Sequence, residues 1–372
     1  MFIRIGMLKM YYEKELEAII KSNRFRKREL NNHELLDFAS NDYLGLASEK
    51  KLFKKAYKLL KDENYFAPKS SLLVNGYHKI HKMFEEKLSY ENGFESGLVV
   101  GSGFLANISL IEGLVRKKDV LFMDSDYHAS GILASKLVSN VVLFNHNDPK
   151  DLEEKIKQYV ISNRIIIAIE GVYSMAGDIA PIEINNIATK YNAILIVDEA
   201  HSSGVIGSNL LGWYDYHNIK IMPNHIKMGT LGKAYGSYGA YILASKHIIS
   251  FLENRAKAII YTTAPSLFDI ALGYISFMQI IKKKSKLKEK ILKRQQIVSE
   301  LISENTDSLI LKIEISDNQK VIDIQNKLKL DGFIIGAIRQ PTVEKAILRV
   351  ILKLDMKIKD LKKLLIKIKE YK

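Results

Sequence analysis

Residues 194–201 read ILIVDEAH: four apolar residues run straight into two carboxylates and, two positions on, a histidine. A short run rich in Ile and Val, polar only at its carboxyl end, is the pattern of a strand buried on both faces whose tip opens on a ligand crevice. Working outward, comparable runs recur at 97–100, 120–123, 141–144, 164–169, 226–228 and 240–244, with amphipathic spacers between them. That alternation predicts an α/β fold, a mostly parallel central sheet sandwiched by helices. Several spacers carry helix-start signals, such as Asp148-Pro149, where Asp can cap and Pro suits the first turn. After about residue 265 the rhythm changes. Two long amphipathic stretches come first, then strand-like 309–315, helix-like 321–330, strand-like 333–335 and 347–351, and a Lys-rich final helix. The expected division is an N-terminal helix and arm over 1–45, a large α/β domain over 46–277 and a small α+β domain over 278–372.

Composition narrows the function classes. A chain of 372 residues suits one large core with a smaller lobe. It contains no cysteine, which excludes disulfides, thiolate metal sites and a cysteine nucleophile and suits a reducing compartment. No run approaches the roughly 18 apolar residues a membrane helix needs. The opening MFIRIGMLKMYY lacks the long apolar core and small-residue cleavage site of a signal peptide. A cytoplasmic protein with no membrane partner is expected. The net charge of +14 invites a nucleic-acid reading, but the lysines are spread along the chain and densest in IKKKSKLKEKILKR at 281–294, a pattern of a solvated helix face. No nucleic-acid partner is expected.

DEAH after an apolar strand is also the magnesium-binding element of nucleic-acid helicases. That chemistry needs an upstream G-x-x-x-x-G-K-[ST] phosphate loop, and the one Gly-Lys here, Gly232-Lys233, lies downstream and is followed by Ala234. A zinc or iron site built from Asp198, His201 and His128 is the next reading, but two histidines on separate strands are as readily structural, and no metal is expected.

The whole constellation fits pyridoxal 5′-phosphate better. That cofactor needs a lysine for a Schiff base, a carboxylate against its ring nitrogen and donors for its phosphate. Lys233 sits in a Gly-rich turn after a strand, where burial and neighbouring charge can favour the neutral amine. Asp198, at a strand tip, can pair with the ring nitrogen, His201 can reach the ring hydroxyl, and His128, after the 120–123 run, can stack on the ring face. GSGFLAN at 101–107 follows a strand-like run and opens a helix whose backbone N–H groups can cradle a phosphate.

In order along the chain stand NDYLGL at 41–46, VNGYHKIHKMFEEKL at 74–88, GSGFLAN at 101–107, DYHAS at 126–130 and EGVYSMAGDIAPI at 170–182. VDEAHSSGVIG at 197–207, TLGKAYGSYGA at 230–240, IYTTAPS at 260–266 and AIRQPTVEKAILRV at 337–350 complete the series. As a set these resemble the α-oxoamine synthase family of fold-type I pyridoxal-phosphate enzymes. The resemblance implies Lys233 as cofactor lysine and proton carrier, Asp198 on the ring nitrogen, His201 and Ser174 near the ring oxygen and His128 stacked on the ring, with His128 a second acid. It places Ser102, Gly103, Phe104 and Thr230 on the phosphate side. Thr262 or Thr263 would reach the phosphate of a neighbouring subunit, implying a homodimer with shared active sites. Arg349, helped by Asn41, would hold an amino-acid carboxylate, with Tyr43 and Arg26 as further substrate contacts.

Within the family, the AIR-x-PTV string is most similar to members that join L-alanine to a pimeloyl thioester, carried by coenzyme A or a carrier protein. Members that use glycine or serine with other acyl thioesters share the cofactor strings. A non-catalytic basic scaffold is a third reading, supported only by the diffuse charge. Two departures stand out: Leu72 where many relatives have an arginine, and Gln340 where a second proline is common.

Overall fold

The computed structural model describes every residue except 1–10, 23, 27, 29, 31, 33, 160–162 and 316. It divides into two units, Met1–Leu35 and Leu36–Lys372. The first contains the helix Glu13–Lys21, none of whose side chains is buried.

The second unit carries the strands β1 (Leu36–Asp37), β2 (Ser96–Val100), β3 (Val120–Asp124), β4 (Val141–Phe144), β5 (Ile165–Glu170), β6 (Ile194–Asp198), β7 (His225–Thr230), β8 (Ala240–Ala244), β9 (Ile310–Glu314), β10 (Phe333–Ile334), β11 (Gly336–Ile338) and β12 (Ile347–Ile351). Seven of them form the central sheet in the order β2-β8-β7-β6-β5-β3-β4, with only β8 antiparallel to its neighbours. Each corresponds to one of the Ile/Val runs. Both faces are covered: Ile167, Ile169, Leu195 and Val197 enter one core, and Ile166, Ala168 and Ile196 the other. Burial on both sides is why these strands read as continuous apolar runs rather than as alternation. The spacer after β4 begins as its sequence indicates, with the Asp148 side chain accepting from Lys150 N (3.0 Å) and Asp151 N (3.1 Å) and Pro149 in the first turn.

The C-terminal part builds an antiparallel sheet, β11-β12-β9, and a parallel pair, β1-β10, with Leu36 opposite Phe333 and Asp37 opposite Ile334. Part of the segment expected as an arm is thus bonded into the C-terminal lobe. The two amphipathic stretches expected after 265 are one helix, Leu267–Ile302, of 36 residues. The boundary expected at 277 falls inside it, at the buried Phe277, and the helix packs on the helices Lys50–Leu60 and Ile358–Tyr371 within one unit. Among the described residues, no helix is long and apolar enough to cross a membrane.

Arg294 fixes this helix to the segment after β12. Its buried guanidinium donates from Nε to the Lys353 carbonyl (3.0 Å) and from Nη2 to the carbonyls of Leu354 (3.1 Å) and Met356 (2.8 Å). Arg294→Leu strands these acceptors in a dry interior, so it is expected to cost at least about 3 kcal/mol, read as a lowered midpoint in urea unfolding.

Candidate active site

Four parallel strands bring polar residues to one edge of the sheet: Asp124 ends β3, Glu170 ends β5, Asp198 ends β6 and Thr230 ends β7. Glu170 lies in register with Asp198, and Asp198 with Met228 of β7. Between β7 and β8 the chain reverses without a helical crossover, which antiparallel neighbours permit. Leu231 N donates to the Gly239 carbonyl (2.8 Å), Ser237 N to that of Leu231 (2.9 Å) and Gly236 N to that of Lys233 (3.0 Å). Gly236 has φ +58°, and a Cβ there would strike the Ala47 amide, so this turn accepts only glycine.

Lys233 points from that turn into the crevice. Its Nζ lies 2.6 Å from His201 Nε2, and His201 Nδ1 lies 2.5 Å from the Tyr43 hydroxyl. Burial pushes Lys233 down to about 8, while the negative charge of Asp198 limits the fall. Burial, with the charges of Lys233 and Arg349, holds His201 well below the imidazole range, and it is neutral. Tyr43, expected to touch substrate, is fully buried and keeps its proton, pushed up to about 12 by burial; it orients His201 instead.

The Asp198 carboxylate accepts from Asn107 Nδ2 (2.9 Å) and from Ala200 N (3.0 Å). Asn107 also donates to Ser130 Oγ (2.9 Å) and accepts from the Tyr127 hydroxyl (2.9 Å), and Ser130 Oγ lies 2.7 Å from His128 Nδ1. His128 is exposed at the rim of the crevice and caps the helix Ala129–Ser135. Loss of water around part of its ring and the Lys233 charge hold His128 below the ordinary imidazole range, against the pull of Asp198. The sequence reading missed Asn107; its signal was a polar residue on the buried face of the apolar helix Gly103–Leu114.

Glu170 was missed as well, although it ends its strand as Asp198 ends the next. It is buried, its Oε1 has no hydrogen-bond partner, and burial together with the Asp198 charge raises it well above the carboxylate range. Glu199 turns the other way, into the core, where it accepts from Trp213 N (2.6 Å) and faces the buried Lys227 at 3.8 Å. Of the DEAH string, only Asp198 and His201 serve the crevice.

Beside Thr230, Ser102 caps the helix Gly103–Leu114 by accepting from Leu105 N (3.2 Å). A Cβ on Gly103 would come within 3.8 Å of the Thr230 side chain. Phe104 is exposed next to them. Arg349, on β12, is buried and donates from Nε to the Ser174 carbonyl (2.7 Å) and from Nη2 to Asn41 Oδ1 (3.1 Å). The fold thus joins Arg349 to Ser174 and Asn41, both distant from it in sequence. Thr262 is half-buried and Thr263 exposed after the short helix Lys257–Ile260. Arg26 is exposed in the first unit. Leu72 opens the turn Leu72–Gly76, and Gln340 Nε2 donates to the Glu344 carbonyl (2.7 Å).

These residues fit pyridoxal phosphate: a lysine biased towards its neutral form, a carboxylate held by two donors at a strand tip, and a capped helix N-terminus beside Thr230 for an anion. A family model for aminotransferase class I and II matches residues 33–366. The chain belongs to this family of pyridoxal-phosphate enzymes. The 8-amino-7-oxononanoate synthase of Helicobacter pylori (strain J99) is 47% identical over 355 residues, 95% of this chain and 95% of that one. The chain thereby groups with the 8-amino-7-oxononanoate synthases. Among solved structures, a serine palmitoyltransferase of Sphingomonas wittichii superposes with a TM-score of 0.87 at 21% identity, covering 98% of both chains. An 8-amino-7-oxononanoate synthase of Francisella tularensis does so with a TM-score of 0.73 at 24% identity, covering 91% of this chain and 98% of that one. At such identities these two establish the fold, fold-type I, and not the substrate.

Two outcomes follow from the geometry. The neutral amine is the attacking form, so the rate at which cofactor-free protein captures pyridoxal phosphate should climb as pH rises through about 8 and level off above it, followed by stopped-flow absorbance. Asn107→Ala removes a side-chain donor from Asp198 and should weaken cofactor affinity about tenfold or more in absorbance titrations.

Proposed function

We propose that this protein condenses L-alanine with a pimeloyl thioester, carried by coenzyme A or a carrier protein, giving 8-amino-7-oxononanoate, carbon dioxide and the free thiol of the carrier, a step of biotin synthesis. The observation that carries this reading is the 47% identity, over 95% of both chains, to an enzyme of that name, and the contacts of Lys233, Asp198 and Arg349 support it. The reaction is proposed to run in the cytoplasm, in a homodimer whose sites are shared.

When bound, pyridoxal phosphate supplies a carbonyl that amines can add to and a ring that accepts electrons from the amino-acid Cα. Asp198 holds the ring-nitrogen end, His201 and Ser174 the ring oxygen, His128 the ring face, and Ser102, Gly103, Phe104 and Thr230 the phosphate. Arg349 grips the alanine carboxylate through its guanidinium fork, with Asn41 steadying one Nη. Lys233 Nζ would take the Cα proton and later return one. Its low basicity makes both transfers accessible near neutral pH. His201 and Tyr43 keep the amine pointed at the crevice, and His128 stands at the rim as a second acid. Thr262 or Thr263 is assigned to the phosphate of the neighbouring subunit, and Arg26 to substrate.

Product analysis with alanine, glycine and serine against pimeloyl and acetyl thioesters tests the reading. Alanine with a pimeloyl thioester should dominate, and preference for glycine with acetyl-CoA would replace it with the glycine C-acetyltransferase reaction. Lys233→Ala should lower turnover by roughly 1,000-fold or more.

A further inference from the structure

At the sheet edge next to the lysine crevice, His146 lies between two carboxylates. Its Nδ1 faces Asp124 Oδ1 at 3.0 Å and its Nε2 faces Asp178 Oδ2 at 2.7 Å. A neutral imidazole donates from one nitrogen only, so a ring with a carboxylate at each nitrogen carries two protons. Burial opposes that charge, yet the hydrogen bonds to Asp124 and Asp178 push His146 up to about 10. Asp126, 3.9 Å away, and the Tyr173 ring, edge-on with centroids 4.3 Å apart, complete its surroundings. Asn147 repeats the bridge, donating from its backbone N to Asp124 Oδ2 (2.9 Å) and from Nδ2 to Asp178 Oδ2 (2.8 Å).

Asp178 closes a tight turn that begins at Tyr173. Tyr173 N donates to the Asp178 carbonyl (3.0 Å), and Gly177 N to the Tyr173 carbonyl (2.9 Å). From the segment before β9, Ser308 Oγ donates to the Gly177 carbonyl (2.8 Å). Inside this turn sits Ser174, whose carbonyl receives Arg349 Nε. The turn is thus held on one side by His146 and Asn147 and on the other by Ser308, and it sets the angle of the guanidinium.

We propose that His146 is a positioning residue for amino-acid binding: acting through Asp178, it fixes the 173–178 turn so that the Ser174 carbonyl aims Arg349 at the substrate carboxylate. This rests on the proposed role of Arg349 and adds a charged bridge outside the cofactor site as the origin of its alignment. It also separates two kinds of ligand. An amino acid needs the carboxylate clamp, whereas a simple amine that reacts at the same lysine-bound carbonyl does not.

The test uses the holoenzyme and its cofactor absorbance to titrate L-alanine and ethylamine. His146→Gln should weaken alanine about tenfold, leave ethylamine within about twofold, and raise the KM for alanine without raising that for the thioester. Ser308→Ala, which loosens the turn from the opposite side, should show the same selectivity at roughly threefold and stands in for His146→Gln should that variant not fold. An alanine-to-ethylamine affinity ratio equal to the wild type's in folded protein, or an equal loss for both ligands, overturns the proposal. A wild type that binds a different amino acid contradicts the proposed reaction alone, because the same ratio is then read with that amino acid.

Discussion

Two carboxyl groups, Glu170 and Asp198, stand in register at the ends of adjacent parallel strands, in an interior from which both faces of the sheet exclude water. A dry sheet edge does not hold two neighbouring anions cheaply. The structure resolves this by distributing donors unequally. Asp198 receives Asn107 and the Ala200 amide, while Glu170 keeps an unpartnered oxygen and its proton. One anion therefore faces the crevice. The same dryness that protonates Glu170 pushes Lys233 towards its neutral form, so acid, anion and amine all follow from a single desolvated strand edge.

The C-terminal sheet supplies what the central sheet edge lacks, a fixed cation. Arg349 is buried on a strand whose neighbours belong to the C-terminal sheet, yet its hydrogen bonds run to Ser174 and Asn41, outside that sheet. Its alignment depends on the seating of the C-terminal sheet against the segments that carry Ser174 and Asn41. Arg294 and the 36-residue helix that carries it secure that seating beneath β12.

Much of this was legible in the sequence, for physical reasons that differ by element. The central strands announce themselves as short apolar runs, most plainly β5, where all six residues are buried and four are Ile. Strands β1 and β11, two and three residues long, offer too few positions for a period; β1 exists because its partner lies some three hundred residues away. The long helix read as two because its first half is buried nearly all round while the lysine-rich 282–290 stretch faces solvent, and the change of pattern resembled a break. Lys233, Asp198, His201 and His128 stood out as polar residues beyond strand tips. Asn107, Glu170 and the burial of Tyr43 did not, because each is settled by contacts distant in sequence, such as the Leu354 N–H that binds the Tyr43 carbonyl at 2.9 Å.

The reversal between β7 and β8 gives the lysine an unusual footing. Every parallel neighbour in this sheet must return through a crossover, whereas the turn that carries Lys233 joins adjacent strands of one ladder and is closed by Leu231 N on the Gly239 carbonyl. The backbone of this turn is tied across itself, and the four-carbon stem carries the amine from there to His201. An amine on such a footing has its reach set by the bond lengths of its own stem, measured from a backbone closed by its own hydrogen bonds.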